Sequence, residues 1–152
     1  MNKMLSSLLA FLLMSLSVPL LGDQKNLVEF YNSDSAVTAS LPFSEMVRVG
    51  NILYLSGQIG VIPGTLKLVP GGIKEQARQT MENIKSTLES HHYSMNNIVK
   101  CTVMLADMSE WAIFNEVYVS FFEKPYPARS AFGAGSLALG SLLEVECIAA
   151  VQ

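Results

Sequence analysis

From residue 46 onward the chain changes its hydrophobic period often enough to mark out its elements. Val47 and Val49 flank Arg48, Gly50-Asn51 supplies a two-residue turn, and Ile52-Leu53-Tyr54-Leu55 runs on into Ser56-Gly57, which predicts a β-hairpin. Residues 59–72 hold Pro63, Gly64, Pro70 and Gly71-Gly72 and read as loop. Ile73, Ala77, Met81, Ile84 and Leu88 then recur at spacings of three and four, with Lys74, Glu75, Arg78, Glu82 and Lys85 on the other faces, so an amphipathic helix is predicted over 73–90. His91-His92 close it, where an imidazolium suits the helix dipole. Residues 98–105 are apolar, β-branched and short, as a mostly buried strand is. Asp107 or Ser109 caps a second helix, with Glu110 completing a capping box, Trp111, Phe114, Tyr118 and Phe121 as its apolar stripe, and Pro125 and Pro127 ending it. Two last strands, 129–133 and 142–151, flank a Gly-rich connection over 134–141.

This order of elements is that of an α+β fold in which two helices cover one face of a mixed sheet. Two helices leave the second face, with its Leu, Val and Ile residues, uncovered, which predicts closure by self-association. Residues 23–40 are polar and read as an irregular arm with few core residues. Ahead of it Lys3 precedes an uncharged run from Met4 to Leu21, followed by Gly22 and the polar Asp23-Gln24-Lys25. That is the layout of a secretory signal peptide over 1–22, with an uncleaved membrane anchor as the alternative. The division is thus 1–22 signal peptide, 23–40 arm and 41–152 domain, and the expected location is periplasmic or secreted, with no membrane attachment after cleavage. Export would place Cys101 and Cys147 in an oxidising compartment; whether they pair or stay buried thiols on strands is open at this point.

Composition narrows the chemistry. Half of the residues are hydrophobic and 15% are charged, as in a single packed domain. Ten basic residues face thirteen acidic ones, and no basic run could follow a phosphate backbone, so nucleic acid is not the expected partner. The cysteines are too far apart for a Cys-x-x-Cys pair and the histidines are adjacent, so no metal site is expected. Gly71-Gly72 and Gly133-Ala134-Gly135 lack the strand-loop-helix setting of a phosphate cradle, and Ser56, Ser130 and Ser136 have no histidine partner for a hydrolytic triad.

Two acids at i, i+2 in the last strand, Glu144 and Glu146, share one face among apolar neighbours. Either that face is simply solvated, or one acid lines an inter-subunit cleft as a general base. Arg129, in Pro127-Ala128-Arg129-Ser130, offers a planar fork that matches a carboxylate, and a salt bridge to Glu144 or Glu146 is the competing reading.

Leu41-Pro42-Phe43-Ser44, the hairpin from Val47 to Ile59, Gln76-Ala77-Arg78-Gln79 with Glu82-Asn83, Val99-Lys100-Cys101-Thr102-Val103, Asn115-Glu116-Val117-Tyr118, Pro127-Ala128-Arg129-Ser130 and Glu144-Val145-Glu146 together resemble the RidA (YjgF) family of reactive-intermediate deaminases. The resemblance covers 41–151. It implies a chorismate-mutase-like α+β fold, a homotrimer whose sheets form a central barrel, and three clefts between subunits. It also implies hydrolysis of 2-imino acids, such as 2-iminobutyrate and 2-iminopropionate, to 2-keto acids and ammonia without metal or organic cofactor. By that resemblance Arg129 grips the substrate carboxylate, Glu144 activates water, and Gly57, Asn115 and Ala131 line the pocket, Gly57 and Ala131 by their backbones. Phe43 stands where the family usually has Tyr, and Ala131 where some members have Cys. The alternative function is a non-catalytic small-carboxylate-binding or chaperone-like protein on the same scaffold. Ribonuclease activity, described for some members, fits poorly with export and net acidity.

Overall fold

The computed structural model describes residues 27–35 and 40–151. The expected signal peptide and its cleavage site lie outside the described residues. Six strands form one sheet: β1 (Val28–Tyr31), β2 (Met46–Val49), β3 (Ile52–Gln58), β4 (Ile98–Leu105), β5 (Ala128–Gly133) and β6 (Leu143–Ala150), in the order β1-β2-β3-β6-β4-β5. Only the β4–β5 pair is parallel among these neighbours. Helix α1 (Ile73–Ser90) follows β3 and helix α2 (Trp111–Val119) follows β4. The predicted hairpin, first helix and last three strands are present within one or two residues of their expected ends.

Alternation along the central strands sends one set of side chains to the helices. Leu53 and Leu55 of β3, Cys101, Val103 and Leu105 of β4, and Leu143, Val145, Cys147 and Ala149 of β6 meet Ala77, Met81, Ile84 and Leu88 of α1 and Phe114, Val117 and Tyr118 of α2 in one core. Buried Gln76 ties the connection before β6 to α1, its Oε1 accepting from the Leu142 amide at 2.9 Å. Asn83 holds the loop after β3, donating to the carbonyls of Ile59 (3.1 Å) and Val61 (3.0 Å).

Two expectations need correction, and one open question is answered. The arm contains a strand: Val28↔Val49 to Tyr31↔Met46 pair β1 with β2, and Tyr31 packs its ring 4.7 Å from that of His91 at the end of α1. Being an edge strand, β1 keeps Val28 and Phe30 exposed, which is why its short sequence lacks a buried run. The second helix is shorter at both ends than expected. Asp107 caps a 3₁₀ turn over Met108–Glu110 by accepting from the Ser109 amide at 2.8 Å, and the α-helix starts only at Trp111. It ends at Val119, where single turns through Phe121 and Phe122 replace the ladder before either proline is reached. Finally, Cys101 and Cys147 are not thiols. They are register partners on β4 and β6, with Cα atoms 4.1 Å apart, and form a disulfide.

The second sheet face carries Val28, Phe30, Val47, Val49, Ile52, Tyr54 and Ile148 on one half and Thr102, Met104, Phe132, Glu144 and Glu146 on the other. No helix covers it. Phe30 is 69% exposed, Phe132 50% and Tyr54 49%, which matches the expected open apolar face.

Candidate active site

Arg129 enters β5 beside Cys101, on the helix side of the sheet. Helix α2 presents Trp111, Asn115 and Tyr118 to it, three residues at i, i+4 and i+7 and therefore on one helix face. The guanidinium carbon lies 4.5 Å from the centroid of the Trp111 ring and 4.5 Å from that of Tyr118. Between these rings Arg129 Nη2 donates to Asn115 Oδ1 at 2.9 Å. Nη1 is buried and has no partner. No carboxylate lies within salt-bridge range of it among the described residues, where the one ion pair is Arg48–Glu29 at 4.0 Å. The salt bridge from Arg129 to Glu144 or Glu146 is thus not made. A planar guanidinium with an unfilled donor has the geometry that matches a carboxylate. The Tyr118 phenol is pushed up by burial and partly drawn back by the Arg129 charge.

Glu144 projects from β6 to the opposite face. It is the register partner of Met104, three positions along β6 from Cys147, so the sheet alternation separates it from the Cys101–Arg129 side. Its neighbour across β3 is Gly57. The β3–β6 register shifts between Leu55 and Gln58, and at this bulge a Cβ on residue 57 would overlap Glu144 Oε1 and crowd its Cδ, so glycine makes the space that the carboxylate occupies. Burial raises the Glu144 carboxyl above the ordinary range, and the charge of Glu146 on the same face adds to the rise. A carboxylate held in that way is a better proton acceptor than a free one.

The chain therefore builds two candidate half-sites. Arg129 with Asn115 forms one, and Glu144 with Gly57 the other. Ala131 lies on the Arg129 side of β5 and packs against the core, and Phe43, 50% exposed, lies in the bend before β2. Arg129 and Glu144 face opposite sides of one sheet and do not meet within a single copy. Two surface grooves of about 540 and 300 Å³ run past Arg78, Glu82 and Lys85 and past Phe122, Lys124 and Pro127, and neither includes Arg129 or Glu144. Ser130, exposed on the open face, accepts from Lys100 Nζ at 3.1 Å and has no histidine near it in sequence. No cluster of three metal-ligating side chains occurs among the described residues. Trp111 was expected to be simple core packing; it is half-buried and its ring faces Arg129. The signal for it in the sequence was the alignment of 111, 115 and 118 on one helix face, which an apolar core stripe imitates.

A mixed sheet backed by two helices, with a half-buried arginine on the helix side and a partly buried carboxyl on the other, places the protein in the α+β class. Its family is settled by comparison: the Endoribonuclease L-PSP profile matches residues 33–151, and the chain belongs to this family, that of RidA (YjgF). Among its relatives, the RutC family protein PH0854 of Pyrococcus horikoshii is 44% identical over 108 residues, which are 71% of this chain and 86% of that protein. The 2-iminobutanoate/2-iminopropanoate deaminase of Mus musculus is 40% identical over 118 residues, 78% of this chain and 87% of that one. The crystal structure of RidA from the Antarctic bacterium Psychrobacter superposes with a TM-score of 0.75 at 41% identity, covering 81% of this chain and 99% of that one.

Proposed function

We propose that this protein hydrolyses 2-imino acids of the 2-iminobutyrate and 2-iminopropionate type to 2-keto acids and ammonia, in a homotrimer whose sites lie between copies. The observation that carries the reading is Arg129, whose Nη2 donates to Asn115 while its buried Nη1 has no partner and no acid pairs with the guanidinium among the described residues. The naming of the mouse relative for this reaction supports the same substrate class. Arg129 of one copy binds the substrate carboxylate, and Glu144 of the neighbouring copy holds the water. Glu144 takes a proton from that water as its oxygen bonds to C2 of the protonated imine, giving a tetrahedral carbinolamine. Glu144 passes that proton to the nitrogen, the C2–N bond breaks as Glu144 takes the hydroxyl proton so that the C2–O bond becomes a carbonyl, and the departing ammonia takes up that proton, so a 2-keto acid and ammonium leave. The iminium carbon is already electrophilic, so positioning and one proton relay are the work required, and Arg129 and Glu144 are sufficient for it. Gly57, Ala131 and Phe43 line the same cleft, with Phe43 supplying a ring without a hydroxyl.

The trimer is supported by the separation of Arg129 and Glu144 on two faces of one sheet and by the uncovered apolar face around Tyr54. Export through a signal peptide over 1–22 is part of the proposal, and the Cys101–Cys147 disulfide supports an oxidising compartment. The test is imine hydrolysis with 2-iminobutyrate generated in situ by an amino-acid oxidase, for the wild type, Arg129→Ala and Glu144→Gln. Each variant alone is expected to lose about 100-fold or more. Mixed one to one and reassembled, the two inactive variants regain about a quarter of wild-type activity if each site takes its Arg and Glu from different copies. No recovery places both in one copy. No acceleration by the wild type, with a carboxylate still bound at Arg129, leaves the non-catalytic binding protein as the function.

A further inference from the structure

We infer that Trp111 and Tyr118 are positioning residues for the substrate-binding Arg129, holding its guanidinium by their ring faces so that its in-plane donors stay free for a carboxylate. This rests on the proposed carboxylate role of Arg129 and goes beyond it to what keeps the arginine available. Arg129 is half-buried with its Nη1 out of water, and a cation withdrawn from water in this way must be compensated. The usual compensation is an acidic partner, which would occupy the N–H fork and close the site. Here the compensation comes from two ring faces: both centroids lie 4.5 Å from Cζ, within the range of a cation–π contact, which uses no N–H donor. The Asn115 amide oxygen takes one donor on Nη2 at 2.9 Å and carries no charge to compete with a ligand. Nη1 remains unfilled. The rings are themselves fixed by an aromatic row, Trp111 against Phe114 at 6.0 Å, Phe114 against Tyr118 at 5.7 Å and Tyr118 against Phe122 at 4.8 Å, so that the α2 core sets where the cation sits.

The experiment compares Trp111→Leu, Trp111→Phe, Tyr118→Leu and Tyr118→Phe with the wild type. It reads the affinity for 2-oxobutyrate by calorimetry and kcat and KM on 2-iminobutyrate. Removal of either ring face is expected to weaken 2-oxobutyrate binding and raise KM by about 3- to 30-fold, with kcat within about twofold, because the lost contact serves ground state and transition state alike. The Phe variants keep a ring face and should restore most of the affinity. Tyr118 lies in the core, so thermal melting of each variant is measured as well, and half-buried Trp111 keeps the test open if Tyr118→Leu fails to fold. Folded Leu variants that bind and turn over like the wild type would overturn the inference while Arg129→Ala still abolishes binding. Equal losses in the Leu and Phe variants would overturn it too, since packing rather than the ring face would then be at work. A wild type that binds no carboxylate removes the underlying reading together with it.

Discussion

At Gly57 the requirement is for space. Its backbone is not in the left-handed region, yet a Cβ there would overlap the Glu144 carboxylate, whose flexible end can swing away. Gly57→Ala should therefore fold, with a melting temperature near that of the wild type, and lose about 100-fold in kcat/KM, since a displacement of the order of 1 Å at a reacting group has that effect. A paired melting curve and rate measurement checks it; a large loss of stability with activity retained would place the glycine in the fold and not the site. Glu144 supplies a pH test. Its raised carboxyl means that the folded state prefers the protonated form, so its contribution to stability is present at low pH and is lost as pH rises through the folded value. It is still partly exposed, and the consequence is better read in the rate. Activity needs the carboxylate, so kcat/KM should fall as pH drops through a value above the ordinary 4.5, and Glu146→Gln, by removing the neighbouring charge, should move that acid limb to lower pH. An unchanged limb would separate Glu146 from the titration. Both acids stand out in the sequence as candidates because a charge inside an apolar strand breaks a pattern, and Arg129 because it stands at the entry of a strand between small residues. Trp111 and Tyr118 do not, because an aromatic residue on a helix follows the core pattern whether or not it also faces a cation.

Among the elements, α1 and the hairpin could be read because their period is carried by many residues and agrees with their turn chemistry. β1 could not. Four residues at a sheet edge bury little, and what recruits them is pairing to β2 and the Tyr31 contact with His91, which lies 60 positions away in sequence. The end of α2 was placed by proline, whereas the turns through Phe121 and Phe122 close it sooner. The disulfide depends on register, a property of two strands together: Cys101 and Cys147 become neighbours only because β6 inserts between β3 and β4. That bond closes a loop of 46 residues, and on loop-entropy grounds its removal should lower unfolding free energy by about 4 kcal/mol. Urea unfolding of Cys101→Ala/Cys147→Ala against the oxidised wild type measures it. A difference under about 1 kcal/mol would mean that the pairing of β4 and β6 holds without the covalent link. Arg129 is the register neighbour of Cys101 on β5, so the same variant shows whether the half-site depends on the bond.

For the whole molecule, the two sheet faces divide the work. The helix face holds the core and Arg129; the open face holds Glu144 and exposed apolar side chains such as Phe30, Tyr54 and Phe132. The proposed chemistry needs a second copy, whereas the sheet and helices are built within one chain, and assembly and folding can be tested separately. Ile148 is half-buried on β6 opposite Tyr54, near the middle of the open face and away from both half-sites. An aspartate there meets water in a monomer and apolar side chains in an assembly, so Ile148→Asp should keep the circular dichroism of the wild type while shifting its mass by light scattering from about three chains to one. Carboxylate binding at Arg129 should survive in that monomer at reduced strength, because Asn115, Trp111 and Tyr118 come from the same chain. Imine hydrolysis should vanish, because Glu144 then has no arginine opposite it. A folded monomer that still turns over 2-iminobutyrate would show that the two half-sites act without meeting, and the division between the faces would have to be redrawn.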